Sequence, residues 1–191
     1  MLARGPRLQW AVMEQQQPSS APRGPVGRPI LDESPPATRL EPLLDALARL
    51  GLVALFASLI WIWPRLPEDV PRHFGFDGRP DAWGGRGFVL IVPLIALALY
   101  AGLGWCLQRP QLYSFPWPLT EDNAPRQMQL ARELLRAVRA WMVLVFATGP
   151  WLTWRVASGA QQQLDPGFLP LTLGVLVGLI VTWLLRMARA R

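Results

Sequence analysis

Two long stretches of this chain carry no charged residue: Gly87 to Gln108 and Pro166 to Leu185. Each is long enough to cross a hydrocarbon core of about 30 Å as a helix. Two shorter apolar runs, Leu50 to Trp63 and Ala140 to Trp154, reach that length once their flanks are included. The pattern predicts an all-α integral membrane protein with four transmembrane helices at 41–63, 87–107, 140–158 and 168–185. A compact outer loop, residues 64–86, joins the first two.

Charge gives the orientation. With 51% of residues apolar beside a net charge of +6, a soluble fold is the weaker reading. All 19 basic residues are arginine. They form no single basic stripe, and no nucleic-acid-binding motif accompanies them, so nucleic acid is not expected as a partner. With a cytoplasmic N-terminus, the inside segments hold fourteen arginines, including Arg109, Arg126, Arg132, Arg136, Arg139, Arg186 and Arg189. The outside segments hold five: Arg65, Arg72, Arg79, Arg86 and Arg155. Cytoplasmic segments carry the basic excess, which puts both termini inside a multi-pass protein of the cell membrane. The tryptophans agree. Trp61, Trp63, Trp83, Trp151 and Trp154 fall near the outer interface, and Trp105, Trp141 and Trp183 near the inner one. Indole combines an apolar body with one N–H donor and prefers headgroup level. The Ala, Gly, Pro and Leu richness, with arginine in place of lysine throughout, points to high GC content and a bacterial source.

Residues 1–40 are rich in Pro, Gln, Ser, Gly and Arg and lack an apolar period, so a disordered cytoplasmic tail is expected. No secretory h-region lies near the start, and Met13 is a candidate initiator. Thr38 and Glu41 have capping-box spacing ahead of helix one, and Pro42 suits a first turn. Asp45 and Arg49, four apart, are expected to pair, and Pro64 to end the helix. Pro93 is a candidate kink in helix two. In the inner segment 108–139, Arg126 to Arg139 reads as an amphipathic helix with Leu130, Leu134, Val138 and Met142 on one face and Arg132, Arg136 and Arg139 on another. Its arginines either lie along anionic headgroups or snorkel from a helix end. A short outer loop, 159–167, precedes helix four, which starts near Phe168 with Pro170 in its first turn. A basic tail, 186–191, follows.

The spans hold little chemistry. No ionisable residue lies near the centre of any of them, so no proton relay or ion site is visible. Gly174 and Gly178 form a GxxxG in helix four, read either as packing within the chain or as a homodimer contact. Cys106 is the only cysteine, which excludes an internal disulfide or a thiolate metal cluster. No catalytic constellation and no cofactor motif appear, and an enzyme is not expected.

The outer loop is the polar exception. Leu66 to Arg86 holds three prolines and four glycines, which are expected to fix turns instead of helix or strand. Phe74, Phe76 and Trp83 alternate with charges, which predicts a compact, partly buried cap on the bundle. The pattern Pro67-x-x-Val70-Pro71-x-His73-Phe74, followed by Gly78, Asp81 and Arg86 before an apolar helix, resembles domain of unknown function 1648 over roughly Leu47 to Leu107. That family includes the SdpI-type membrane proteins, which protect bacteria from a secreted antimicrobial peptide and signal its presence. SdpI-type proteins carry further helices and a second characteristic region not found in this shorter chain. The resemblance implies a recognition role for Pro67, Pro71, His73, Phe74, Gly78, Asp81 and Arg86.

His73, the only histidine, has three readings. It ties the loop together through backbone carbonyls or a carboxylate, it recognises a ligand or peptide, or it binds metal with Glu68, Asp69, Asp77 or Asp81. The last would need three or more protein ligands, and no metal site is assigned. Two function classes follow. One is a non-enzymatic envelope sensor or immunity factor with the bilayer and an antimicrobial peptide as partners. The other is an accessory subunit of a membrane transporter or envelope enzyme complex.

Overall fold

The computed structural model describes residues 35–190. Residues 1–34, most of the predicted disordered tail, lie outside the described residues. The described chain is mostly helical: α1 (Leu40–Ile62), α2 (Ile91–Leu107), α3 (Ala124–Ala157) and α4 (Phe168–Arg189). Between α1 and α2 lies one antiparallel pair, β1 (Asp69–Phe74) and β2 (Pro80–Gly85). The loop expected to consist of turns is therefore a hairpin. Its prolines are tolerated because a two-stranded sheet is all edge, where a missing ladder donor costs little.

Contacts along α3 fix the topology. Glu41 of α1 meets Arg132, Gly51 meets Val143, and Trp61 meets Trp151, so α1 and α3 run parallel. On α2, Val92 meets Gly149 while Tyr100 and Gly104 meet Arg139, so that helix is antiparallel to α3. On α4, Arg186 meets Glu133, so it too runs opposite to α3. The result is an up-down-up-down arrangement with α3 in contact with all three others. Gly51 allows the closest approach: a Cβ there would lie 2.9 Å from Val143 Cγ1.

Among the described residues, three helical segments are long and apolar enough to cross a membrane: Leu40–Arg65, Arg86–Leu107 and Phe168–Arg189. The 34-residue α3 does not meet that description. Its position explains why. Covered on three sides by other helices, it needs no continuous apolar surface, and Arg132, Glu133, Arg136 and Arg139 face α1, α2 and α4.

Several local expectations change. Arg86–Leu90 is a 3₁₀ turn, and α2 proper begins at Ile91. Pro93, the candidate kink, thus sits in the first α-helical turn, where proline is tolerated. The capping box of α1 is half formed. Glu41 Oε1 accepts from the Thr38 N–H at 3.5 Å, but the buried Thr38 hydroxyl has no partner. α4 continues one turn beyond the predicted end, to Arg189, and its last carbonyls are capped from α3. Gln127 Nε2 donates to Met187 O at 2.9 Å and Ala190 O at 3.2 Å.

Two buried clusters hold the ends. Leu59, Ile62, Leu66, Val70 and Val89 join α1 to the hairpin base. Leu130, Ala131, Ala137, Trp183 and Met187 join α3 to α4 at the opposite end.

Candidate functional site

The hairpin is built by its irregularities. Pairing runs Asp69 to Gly85, Val70 to Gly84 and Pro71 to Trp83, then slips twice, with His73 opposite Ala82 and Phe74 opposite Pro80. Arg72 on one strand and Asp81 on the other are the extra residues. Bulges of this kind re-aim side chains. Here they bring His73 Nδ1 within 2.7 Å of Asp81 Oδ1. An ionised carboxylate only accepts, so Nδ1 carries the proton in this bond. Both side chains are more than half exposed.

The turn between the strands is tightly tied. Gly75 N–H donates to Arg79 O at 2.8 Å, and Asp77 Oδ1 accepts from the Arg79 N–H at 3.0 Å. Gly78 sits at φ +78°, the left-handed region that favours glycine. A Cβ at Gly78 would also lie 2.9 Å from Leu164 O. That closeness is a docking contact. The Leu164 N–H donates to Gly78 O at 2.8 Å, and Arg79 Nε donates to Gln163 Oε1 at 3.3 Å. The hairpin tip is thus pinned to the connection between α3 and α4, and its base to α1 through Val70.

On this frame the predicted residues divide. Pro71 and Gly78 are buried, Pro67 and Phe74 half-buried, and all four serve the scaffold. His73, Asp81 and Arg86 are exposed. Arg86 N–H donates to Glu68 O at 2.9 Å, and its guanidinium lies 5.6 Å from the Trp63 ring centroid. Glu68, Arg86, Phe88 and Ile91 line an open cleft of about 630 Å³ beside the hairpin. Of the loop's three aromatics, Phe74 is half-buried. Phe76 is fully exposed at the tip, and Trp83 is half exposed. Of the four acids considered as partners of His73, Asp81 alone pairs with it. Among the described residues no three His, Cys, Asp or Glu side chains converge as a metal site requires.

The opposite end carries a second polar constellation that the sequence reading missed. Arg132 pairs with Glu41 at 3.0 Å, Arg136 with Glu41 at 3.3 Å and Asp45 at 3.2 Å, and Arg139 with Asp45 at 3.7 Å. Asp45 thus pairs across helices with α3 instead of with Arg49, four residues along α1. The three arginines turn into the helix interface, and their side chains are less than one-fifth exposed. Arg139 also stacks 3.6 Å over the Tyr100 ring of α2. A signal was present: acids at 41 and 45 and arginines at 132, 136 and 139 each recur at one-face helical spacing.

Nearby, burial raises the Tyr113 phenol above its ordinary value, against the pull of Arg136 and Arg132. Its hydroxyl donates to Leu107 O at 3.1 Å. Among the described residues, nothing beyond their own stretch of helix lies within 4 Å of a Cβ placed at Gly174 or Gly178, and both are exposed. Of the two readings of this GxxxG, packing within the chain finds no contact among the described residues.

Comparison with known proteins covers one part of the chain. Residues 50–97 match the family described as a domain of unknown function, DUF1648. A protein of Archaeoglobus fulgidus, described as uncharacterized, is 45% identical over 62 residues. The match takes in 28% of this chain and 33% of that relative, so the chain spans about a third of its length. No solved structure matches. The matched segment holds most of α1, the whole hairpin and the start of α2, so residues 50–97 are a DUF1648 domain.

Proposed function

We propose that the chain is a non-enzymatic, four-span protein of the cell membrane whose hairpin recognises a peptide or envelope component on the outer surface. This is the reading of an envelope sensor or antimicrobial-peptide immunity factor. One observation carries it. The hairpin is pinned at both base and tip, yet it leaves Phe76, His73, Asp81 and Arg86 in the open. Ordering a surface in advance lowers the entropy cost of binding. A bare aromatic beside such an ordered polar pair is a recognition arrangement more than a fold requirement.

The bilayer placement rests on two aromatic levels. Trp61, Trp151 and Trp154 stack together at the hairpin end, with centroids 4.9 to 5.6 Å apart. At the other end, Arg109 stacks on Trp105 and Arg186 on Trp183. From Asp45 to Trp61 an α-helix advances about 24 Å, close to a hydrocarbon core once interfacial side chains are added. Residues 140–154 of α3 cover the same interval beside α1, which favours a fourth span. The arginine excess at the network end favours cytoplasmic termini.

An accessory-subunit role is the second reading. It is favoured by α4, where only Trp183 and Met187 are buried. The test is survival of a deletion strain against a panel of membrane-active peptides, complemented by the intact gene, by His73→Ala and by Phe76→Ala at equal membrane levels. Sensitivity rescued by the intact gene alone supports recognition by the hairpin. Unchanged sensitivity across the panel rejects immunity, and a stoichiometric membrane partner in mild-detergent purification would then establish the accessory role.

A further inference from the structure

Beneath the arginine network lies a half-open cavity of about 300 Å³ between three helices. Cys106 of α2 and Leu184 of α4 form its walls, Leu134 and Leu135 of α3 its floor, and the segment around Tyr113 its roof. The size is at the lower end of the roughly 300–1,000 Å³ typical of small-molecule sites. The lining is mainly apolar, while Tyr113, whose hydroxyl could have offered a hydrogen bond, already donates to Leu107 O. Ser114 is the remaining hydroxyl on the lining and is exposed, so an occupant must be mainly apolar where it is buried.

Position narrows the choice. Trp105 precedes Cys106 and Trp183 precedes Leu184, and each ring carries an arginine, Arg109 and Arg186. Tryptophan–arginine pairs at helix ends sit at headgroup level. The mouth therefore opens where acyl chains meet headgroups. Arg186 is neutralised by Glu133 at 3.1 Å, which leaves Arg109, three residues past Cys106, and Arg189, two past Met187, as exposed cations beside the lining. Glu121 and Asp122 lie farther along the same segment and limit the attraction.

We propose that this cavity holds one acyl chain of an anionic phospholipid, with the headgroup at Arg109. The inference rests on the membrane reading above. It also gives Cys106 a use as a reporter, because a chain in the cavity covers a thiol that is otherwise half-buried.

The experiment uses the full chain, purified in mild detergent and titrated with phosphatidylglycerol or phosphatidylcholine. Maleimide modification of Cys106 and native mass spectrometry are the readouts. At a free lipid concentration ten times Kd, labelling of the intact protein slows about tenfold and one lipid is retained. Leu135→Trp, which fills the floor, abolishes both effects, and Leu184→Trp does the same from the opposite wall if the first variant fails to fold. Arg109→Gln weakens phosphatidylglycerol about fivefold, the effect of one arginine near an anionic headgroup, and leaves phosphatidylcholine unchanged. Equal protection by both lipids overturns the anionic assignment. Protection that persists in both tryptophan variants overturns the site itself. Alkaline extraction of the source membranes separates the two readings. A chain that stays in the membrane but shows no lipid protection sinks this proposal alone, whereas a chain released to the supernatant sinks the membrane reading.

Discussion

His73 and Asp81 at the hairpin end meet at 2.7 Å with 69% and 54% of their side chains exposed. Arg132 and Glu41 at the opposite end meet at 3.0 Å with 11% and 5% exposed. The distances are similar and the consequences are not. An exposed pair is screened by water and contributes about 0–1 kcal/mol, so the hairpin can present these groups to a ligand at little cost to its own stability. A buried pair holds charges that have lost their hydration, and removal of one partner strands the other. The network end is held by buried pairs, and on the reading proposed above the hairpin end is display.

The comparison is most easily broken at Glu41. Glu41→Ala leaves Arg132 without its acid and Arg136 with Asp45 alone, and the expected loss is about 3–5 kcal/mol. Heating the detergent-solubilised protein while following Cys106 accessibility measures it. Arg49→Ala, an exposed change outside the network, should fall within about ±0.5 kcal/mol. Equal shifts for the two variants would show that the network does not hold α1 to α3.

Gly78 tests whether the display surface is truly pinned. Gly78→Val forces a β-branched residue to φ +78° and drives its Cβ toward Leu164 O, at about 1–3 kcal/mol of local strain. The expected outcome is proteolytic cutting at 75–79 with the helices intact. Gly85→Ala is the control, since nothing lies within 4 Å of a Cβ there. Protease resistance equal to that of the intact protein would mean the tip docks by other contacts.

His73→Ala should change stability by less than about 1 kcal/mol by the same thermal assay, whatever it does to peptide sensitivity. A large loss would move His73 from display to scaffold and erase the contrast between the two ends.

What was legible in the sequence follows the same division. Charge-free runs and their arginine and tryptophan flanks identify α1, α2 and α4, because lipid or burial must accept an apolar run whole. The spacing of Pro67, Val70, Pro71, His73 and Gly78 identifies the DUF1648 segment. The hairpin was not legible, since proline and glycine spoil the alternation by which strands are recognised, and its register rests on two bulges. The network was missed for a different reason. Glu41 and Arg132 are ninety-one positions apart, and local reading paired Asp45 with Arg49 because four residues is the nearest helical neighbour. Interleaved aromatics predicted a partly buried loop without saying which ring is covered, and a turn tip pinned by backbone and polar contacts leaves Phe76 outside.

The smallest expected effect is at Gly174. No neighbouring side chain or helix lies within 4 Å of a Cβ at Gly174 or Gly178, so Gly174→Leu meets no steric resistance in this chain. A buried small residue would resist, as Gly51 would, where Val143 Cγ1 is only 2.9 Å from the added carbon. Leucine is also a better helix former than glycine by somewhat under 1 kcal/mol. Thermal stability of Gly174→Leu should therefore be unchanged or slightly raised. The same substitution blocks the close backbone approach that a GxxxG dimer needs. Mass measurement in mild detergent then gives the GxxxG a meaning. A dimer that becomes a monomer assigns this face to a second copy of the chain, and an unchanged mass leaves it to lipid.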